Sequence, residues 1–317
     1  MNYQRIIWGA VILFVTVAII AGRALSPIAF DVVFGMFMVV AAHEVYNLFR
    51  RNDKPLYMWA VLAYPAAVVV LTIICGLLDV SLVQYILFFV LLTSLLFIGF
   101  LGFPYVFKGA ALKGYRAYNT RMSFSAYIWS CSKNSMLACA YPTMLLSFML
   151  IINNYHNFSG LITYADGYYI SMLGLLLVFV ISMFGDTAAY IIGTTIKTPK
   201  ISMEKLGKGK TYSGVAGGIL GSILGAAALY YVLTLFDPFK DLFFTYTIAS
   251  PLVFILIGAA GGIFNMLGDL ASSYIKRRAG VKDFGTFIPG HGGIMDRLNG
   301  IAPCCVIVFA FMLVLFA

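Results

Sequence analysis

Nine runs of apolar residues divide this sequence, at roughly 6–22, 27–48, 57–78, 81–104, 134–152, 168–196, 213–235, 248–275 and 300–317, each long enough to cross the hydrocarbon core of a bilayer, which takes about 20 helical residues. In lipid every backbone N–H and C=O must be satisfied within the protein, so runs of this length become helices. With 62% hydrophobic and 10% charged side chains, the chain lacks the polar surface to cover a soluble globule. The expected fold is therefore all-α: a polytopic membrane helical bundle with about nine transmembrane helices. The first run has no small-residue cleavage site and many spans follow, so it reads as a retained helix rather than a signal peptide.

The cations agree with nine spans. With the N-terminus in the cytoplasm, all but Arg23 and Lys240 of the 21 Lys and Arg residues fall in cytoplasmic loops, as the positive-inside rule requires. The net charge of +9 is thus topological first, and it also suits anionic lipid and nucleotide. No soluble basic domain exists to hold nucleic acid. Residues 107–133, polar and bearing Tyr and Ser, read as a cytoplasmic interfacial helix or loop; the connection 153–169 is external and has no Lys or Arg. Five cysteines, mostly within apolar runs and without CxxC spacing, read as core thiols.

Chemistry concentrates between Asp269 and Asn299, in DLASSYIKRRAGVKDFGTFIPGHGGIMDRLN. Asn265, Asp269, Ser272 and Lys276 follow steps of four, three and four, which place them on one helical stripe able to bind something polar. Lys276, Arg277, Arg278, Lys282 and Arg297 add five cations, and the run Pro289-Gly-His-Gly-Gly breaks the helix into exposed backbone. Lys and Arg donors with glycine-rich backbone match phosphate oxygens, while Asp269, Asp283 and Asp296 beside them imply a divalent cation between acid and phosphate. The bland alternative is a basic cytoplasmic loop with a glycine turn.

Asp186, in FGDTAAYIIGT, lies well inside an apolar run, where a carboxylate costs roughly 2.5–3.5 kcal/mol unless it faces a cavity or a partner. It is a site candidate, against the alternative of a hydrogen-bonded structural Asp. The segment KLGKGKTYSGVAGG invites a phosphate-loop reading, which fails because Glu204 stands where the first glycine of GxxxxGK[ST] is needed. His43 and Glu44 are adjacent and so point to different sides of a helix, which favours a structural role over an acid–base pair.

Together these spacings resemble the phosphatidate cytidylyltransferase (CDP-diacylglycerol synthase) family. Ser273, Lys276-Arg277, Lys282-Asp283, Gly285, Pro289, His291-Gly292-Gly293 and Asp296-Arg297 fall in register with its signature; Asp186, Ala188, Ala189 and Tyr190, and Lys210, Thr211, Tyr212 and Gly214, match two earlier blocks. The family's carboxylate at the end of the signature is Asn299 here, the acid of the second block is Ser213, the Ser-Pro ahead of that block is Gly207-Lys208 or shifts to Ser202, and a cation near Gly193 is Thr194.

The resemblance covers about residues 183–299. It divides one membrane domain into N-terminal transmembrane helices, 1–152, and a C-terminal transmembrane catalytic region, 153–317. It implies an enzyme that condenses CTP with phosphatidate to CDP-diacylglycerol and pyrophosphate, at a cytoplasm-facing site in a cell membrane such as the bacterial inner membrane, and it allows a homodimer. Mg²⁺ is the implied cofactor, with Asp269 and Asp296 as its ligands. Lys276, Arg277, Lys282 and Arg297 would hold phosphates with the Gly292-Gly293 backbone; His291 would orient a phosphate; Lys210, Thr211, Asp283 and Asp186 would help to bind the nucleotide and metal. Asn299 would keep an oxygen but lose a charge, raising the demand for Mg²⁺, or else it only caps or packs the start of the last helix. Two other classes compete: a CTP-dependent lipid or polyprenol kinase attacking the γ-phosphate, and a cation-coupled transporter using Asp186 and Asp269.

Overall fold

The structure, a computed structural model, describes residues 3–23, 25–118, 122–158, 164–196, 198–199, 210–246, 250–288 and 292–316. The described elements are helical: α1 (Tyr3–Arg23), α2 (Pro27–Arg51), α3 (Met58–Leu77), α4 (Leu82–Val106), α5 (Lys108–Tyr118), α6 (Phe124–Ala138), α7 (Leu145–Asn153), α8 (Tyr155–Phe158), α9 (Tyr164–Thr195), α10 (Tyr212–Leu233), α11 (Asp237–Thr245), α12 (Pro251–Arg278), α13 (Met295–Leu298) and α14 (Ile301–Phe316). Among the described residues eight helices are long and apolar enough to cross a membrane. The first expected run is also helical, as α1, with its apolar described part at Phe14–Arg23. All five cysteines are buried and free.

One expectation is corrected. The interfacial segment expected over 107–133 ends early: α5 is separate, but α6 starts at Phe124 and continues across a kink at Tyr141 into α7, making one span over Phe124–Asn153. The polarity that set this segment apart is spent inside the bundle. Ser132 donates to the Phe100 carbonyl at 2.7 Å, Asn134 donates to the Pro55 carbonyl at 2.9 Å, and Ser135 accepts the Tyr57 N–H at 2.8 Å. A buried hydroxyl or amide that is hydrogen-bonded is tolerated in an apolar run. At Tyr141 the backbone leaves the helical region (φ −123°, ψ 110°), so the chain kinks just ahead of Pro142, which has no N–H to donate back into the helix.

The two ends of the bundle differ in chemistry. At one end Arg23, fully buried, donates through Nε to Asn153 Oδ1 at 2.7 Å and stacks its guanidinium 4.6 Å over the Tyr168 ring. Asn153 and Asn154 in turn donate to the two oxygens of the buried Asp31, at 2.9 and 2.7 Å. One of the two cations assigned outside is therefore an internal tie between α1, α2 and α7. The opposite end gathers the C-termini of α2, α9 and α12, the N-terminus of α10 and residues 281–288 and 292–300.

Candidate active site

Two helix ends build the frame. Thr211 caps α10, its hydroxyl accepting the Gly214 N–H at 3.1 Å. Gly214 also lets α10 lie against α9: a Cβ there would meet the Ala189 carbonyl at 3.2 Å and the Gly193 Cα at 3.5 Å. α12 stops at Gly280, whose φ of +69° sits in the left-handed region, with Gly280 N–H donating to the Arg277 carbonyl and Val281 N–H to the Lys276 carbonyl. That turn sends the chain back over the helix ends. The return is fixed by Ile288 N–H donating to the Gly292 carbonyl at 2.8 Å and by Gly292 itself, with φ of +85° and no room for a Cβ beside Asp296 Oδ2.

Between α9, α10, α12 and α13 lies a cavity of about 420 Å³. Of the residues singled out in the sequence, Asp186, Lys210, Thr211, Asp269, Ser273, Lys276, Asp283, Asp296 and Arg297 line it, with Asn299 and Thr194 among the positions that depart from the family pattern. Arg277 and Lys282 are exposed outside it. His291 and Pro289 lie outside the described residues, as do Lys197, Lys200, Lys205 and Lys208. Tyr190 lines the cavity and is 73% exposed, so the rim reaches the outer surface of the bundle.

The stripe read on α12 meets a polar partner at every step. Asn265 Nδ2 donates to Asp186 Oδ1 at 2.9 Å, Lys210 Nζ donates to Asp269 Oδ2 at 3.2 Å, Asn299 Nδ2 donates to the Ser272 hydroxyl at 3.2 Å, and Lys276 Nζ donates to Asp296 Oδ1 at 2.7 Å. The two acids expected to share a metal differ sharply. Asp269 keeps a quarter of its side chain open to the cavity, whereas Asp296 is 4% exposed. Asp296 Oδ2 also accepts the N–H groups of Phe284 and Gly293, both at 2.9 Å. The Gly293 N–H is thus turned towards Asp296 rather than towards a ligand.

Glu44 is the residue the sequence undervalued. It is 6% exposed near the end of α2, and its two oxygens accept the N–H groups of Ile294 and Met295 at 3.0 and 2.8 Å. Gly285 and Gly293 leave no space for a Cβ against the same carboxylate. His43 points away, exposed and within reach of Asn47, so the two neighbours do face different sides. The signal was available: a carboxylate inside an apolar run needs a partner, as argued for Asp186.

Among the described residues no three His, Cys, Asp or Glu side chains form a group ready to hold a metal. That excludes a closed protein cage of described residues, yet it suits Mg²⁺, which keeps several waters and takes one or two carboxylates together with substrate phosphates. Among the described residues Asp186 and Asp283, both exposed, and Asp269 are the carboxylates lining the cavity with oxygen free to serve; Asp186 and Asp269 are held in place by Asn265 and Lys210.

Comparison with known proteins gives relatives of one kind. Over 135 residues the chain is 36% identical to the phosphatidate cytidylyltransferase of Rickettsia conorii, covering 43% of this chain and 56% of that one. Over 179 residues it is 32% identical to that of Thermotoga maritima and 30% identical to that of Haemophilus influenzae, covering 56% of this chain in each case, and 58% and 57% of theirs. The chain thus spans between about two fifths and three fifths of the length of the curated relatives it matches. Residues 3–315 match the Cytidylyltransferase family, nearly the full length described above. The chain belongs to the cytidylyltransferase family.

Proposed function

We propose that the protein is a membrane-embedded phosphatidate cytidylyltransferase, condensing CTP with phosphatidate to CDP-diacylglycerol and pyrophosphate. The observation that carries this reading is the single cavity in which Lys210, Lys276 and Arg297 stand among Asp186, Asp269 and Asp283 while its rim reaches the outer surface at Tyr190. A charged floor fits the triphosphate, and an open side fits a substrate whose acyl chains stay in the bilayer. The abundance of cations at this end supports its facing the cytoplasm, and the bacterial relatives support a bacterial inner membrane.

In the proposed reaction a phosphate oxygen of the lipid attacks the α-phosphorus of CTP, the bond from that phosphorus to the β-phosphate oxygen breaks, and pyrophosphate leaves with the electron pair. The nucleophile is already ionised at neutral pH, so a general base is unnecessary. Catalysis then rests on position and charge. Lys210 and Lys276 hold phosphate oxygens, each aimed by its carboxylate partner, and Arg297 adds a planar donor fork. Asp296 holds the loop rather than the ligand, fastening Phe284 and Gly293 around Lys276. Mg²⁺ would be held by Asp269 and Asp186 together with phosphate oxygens, and when bound it neutralises charge on the leaving pyrophosphate.

The test is purified protein with Mg²⁺, phosphatidate and CTP labelled at the α-phosphate, the lipid product being identified by chromatography. Label appearing in CDP-diacylglycerol with release of pyrophosphate is expected. Release of CDP with transfer of an unlabelled phosphate to lipid, or no lipid product in folded protein, would overturn the reading.

A further inference from the structure

A second cavity, of about 380 Å³, opens at the same end of the bundle, between the ends of α2, α6 and α12. Lys54, Lys133 and Arg278 line it, and no acidic residue does. Among the described residues none of these three makes a salt bridge; Arg278 instead donates to the Tyr274 hydroxyl at 2.9 Å and Lys54 sits 5.7 Å over the Phe49 ring. Three cations drawn around one hollow without an acid repel one another unless an anion joins them. One wall is apolar: Leu137 lines the cavity and is 51% exposed. Trp59 and Trp129, 54% and 64% exposed, stand close in sequence to Lys54 and Lys133, and exposed Trp marks the level of lipid headgroups.

We propose that this cavity binds the phosphate headgroup of an anionic membrane lipid, at a site separate from the catalytic cavity. Lys54, Lys133 and Arg278 take the phosphate oxygens, and the acyl chains leave along Leu137. The site bears on catalysis through one helix. Tyr274, Ile275 and Arg278 face it from the side of α12 opposite Asp269, Ser273 and Lys276, which face the catalytic cavity. A bound headgroup therefore steadies the turn that carries Lys276.

Native mass spectrometry of the purified protein in neutral detergent tests this without CTP, so its outcome is independent of the reaction. Phosphatidylglycerol should be retained in preference to phosphatidylcholine. Substituting Lys54→Gln, Lys133→Gln and Arg278→Gln together should weaken retention by more than about tenfold. The charge-keeping set Lys54→Arg, Lys133→Arg and Arg278→Lys should retain it, and Lys133→Gln alone, at an exposed residue, should give part of the loss in protein of unchanged thermal stability. Equal retention of phosphatidylglycerol by wild type and the neutral variants, or equal retention of the two lipids, would sink the proposal. Displacement of the lipid by inorganic phosphate would instead identify a site for a free anion, and would also overturn it.

Discussion

The carboxylate of Glu44 accepts the backbone N–H of Met295 at 2.8 Å, joining the end of the second helix to the turn that carries Asp296 and Arg297. Its other oxygen takes the N–H of Ile294. Removing the acceptor leaves two buried donors unsatisfied, at about 1–3 kcal/mol each. Glu44→Ala should therefore lower the unfolding temperature and cut kcat at least about tenfold, since Arg297 and Lys276 lose their fixed positions. Glu44→Gln keeps one acceptor and should lose less of both. Unchanged turnover and melting temperature in Glu44→Ala would show that the turn stands without α2.

Asp269 and Asp296 should separate by experiment because their surroundings differ. Asp269 is open to the cavity and bonded only to a side chain, so Asp269→Asn should fold normally yet lose at least about a hundredfold in turnover, roughly 2.7 kcal/mol of transition-state stabilisation. Asp296 accepts from one ammonium and two backbone N–H groups while almost wholly buried. Asp296→Asn should lose both activity and thermal stability. Turnover and melting curves measured on the same preparations decide; a thermally normal Asp296→Asn would contradict the loop-fastening role.

His156 provides a pH test away from the site. Buried on α8, with its N–H donating to the Ser171 hydroxyl at 3.2 Å, it is pushed down to about 4, first by burial and then by the nearby Arg23 guanidinium. A depressed value in the folded state means that the unfolded chain takes up the proton first. Stability from this group is complete above about pH 6.5 and is lost as pH falls towards 4, by an amount on the order of 3 kcal/mol. Melting temperatures of wild type and His156→Gln measured across pH 4–7 should converge at the acid end; parallel curves would remove His156 as the cause.

The helices were legible because apolar length is read directly from sequence, and the α12 stripe because helical period fixes which side chains share a face. Three things were hidden. The polar residues of α6 looked interfacial because their acceptors, Phe100 and Pro55, are far away in the chain. Glu44 read as structural, and it is, but the turn it holds was hidden because its partners lie some 250 residues on. Asp296 read as a ligand because spacing records that an acid is present but not which N–H groups its oxygens already hold.

At Asn299 the geometry chooses between two readings of the sequence. The sequence left two readings open, a partner of the metal site in the place of the family's carboxylate or a residue that caps or packs the start of the last helix. In the structure its Oδ1 accepts the Gly300 N–H at 2.8 Å and its Nδ2 donates to the Ser272 hydroxyl at 3.2 Å, so the side chain joins α12 to the start of α14. An amide does this with one donor and one acceptor, whereas a carboxylate has no N–H to give Ser272. It is also 7% exposed, so an added charge would be largely buried. Asn299→Asp should therefore lower thermal stability, and the Mg²⁺ concentration for half-maximal activity should stay the same or rise. A midpoint shifted clearly downwards, in protein of unchanged melting temperature, would return position 299 to the metal.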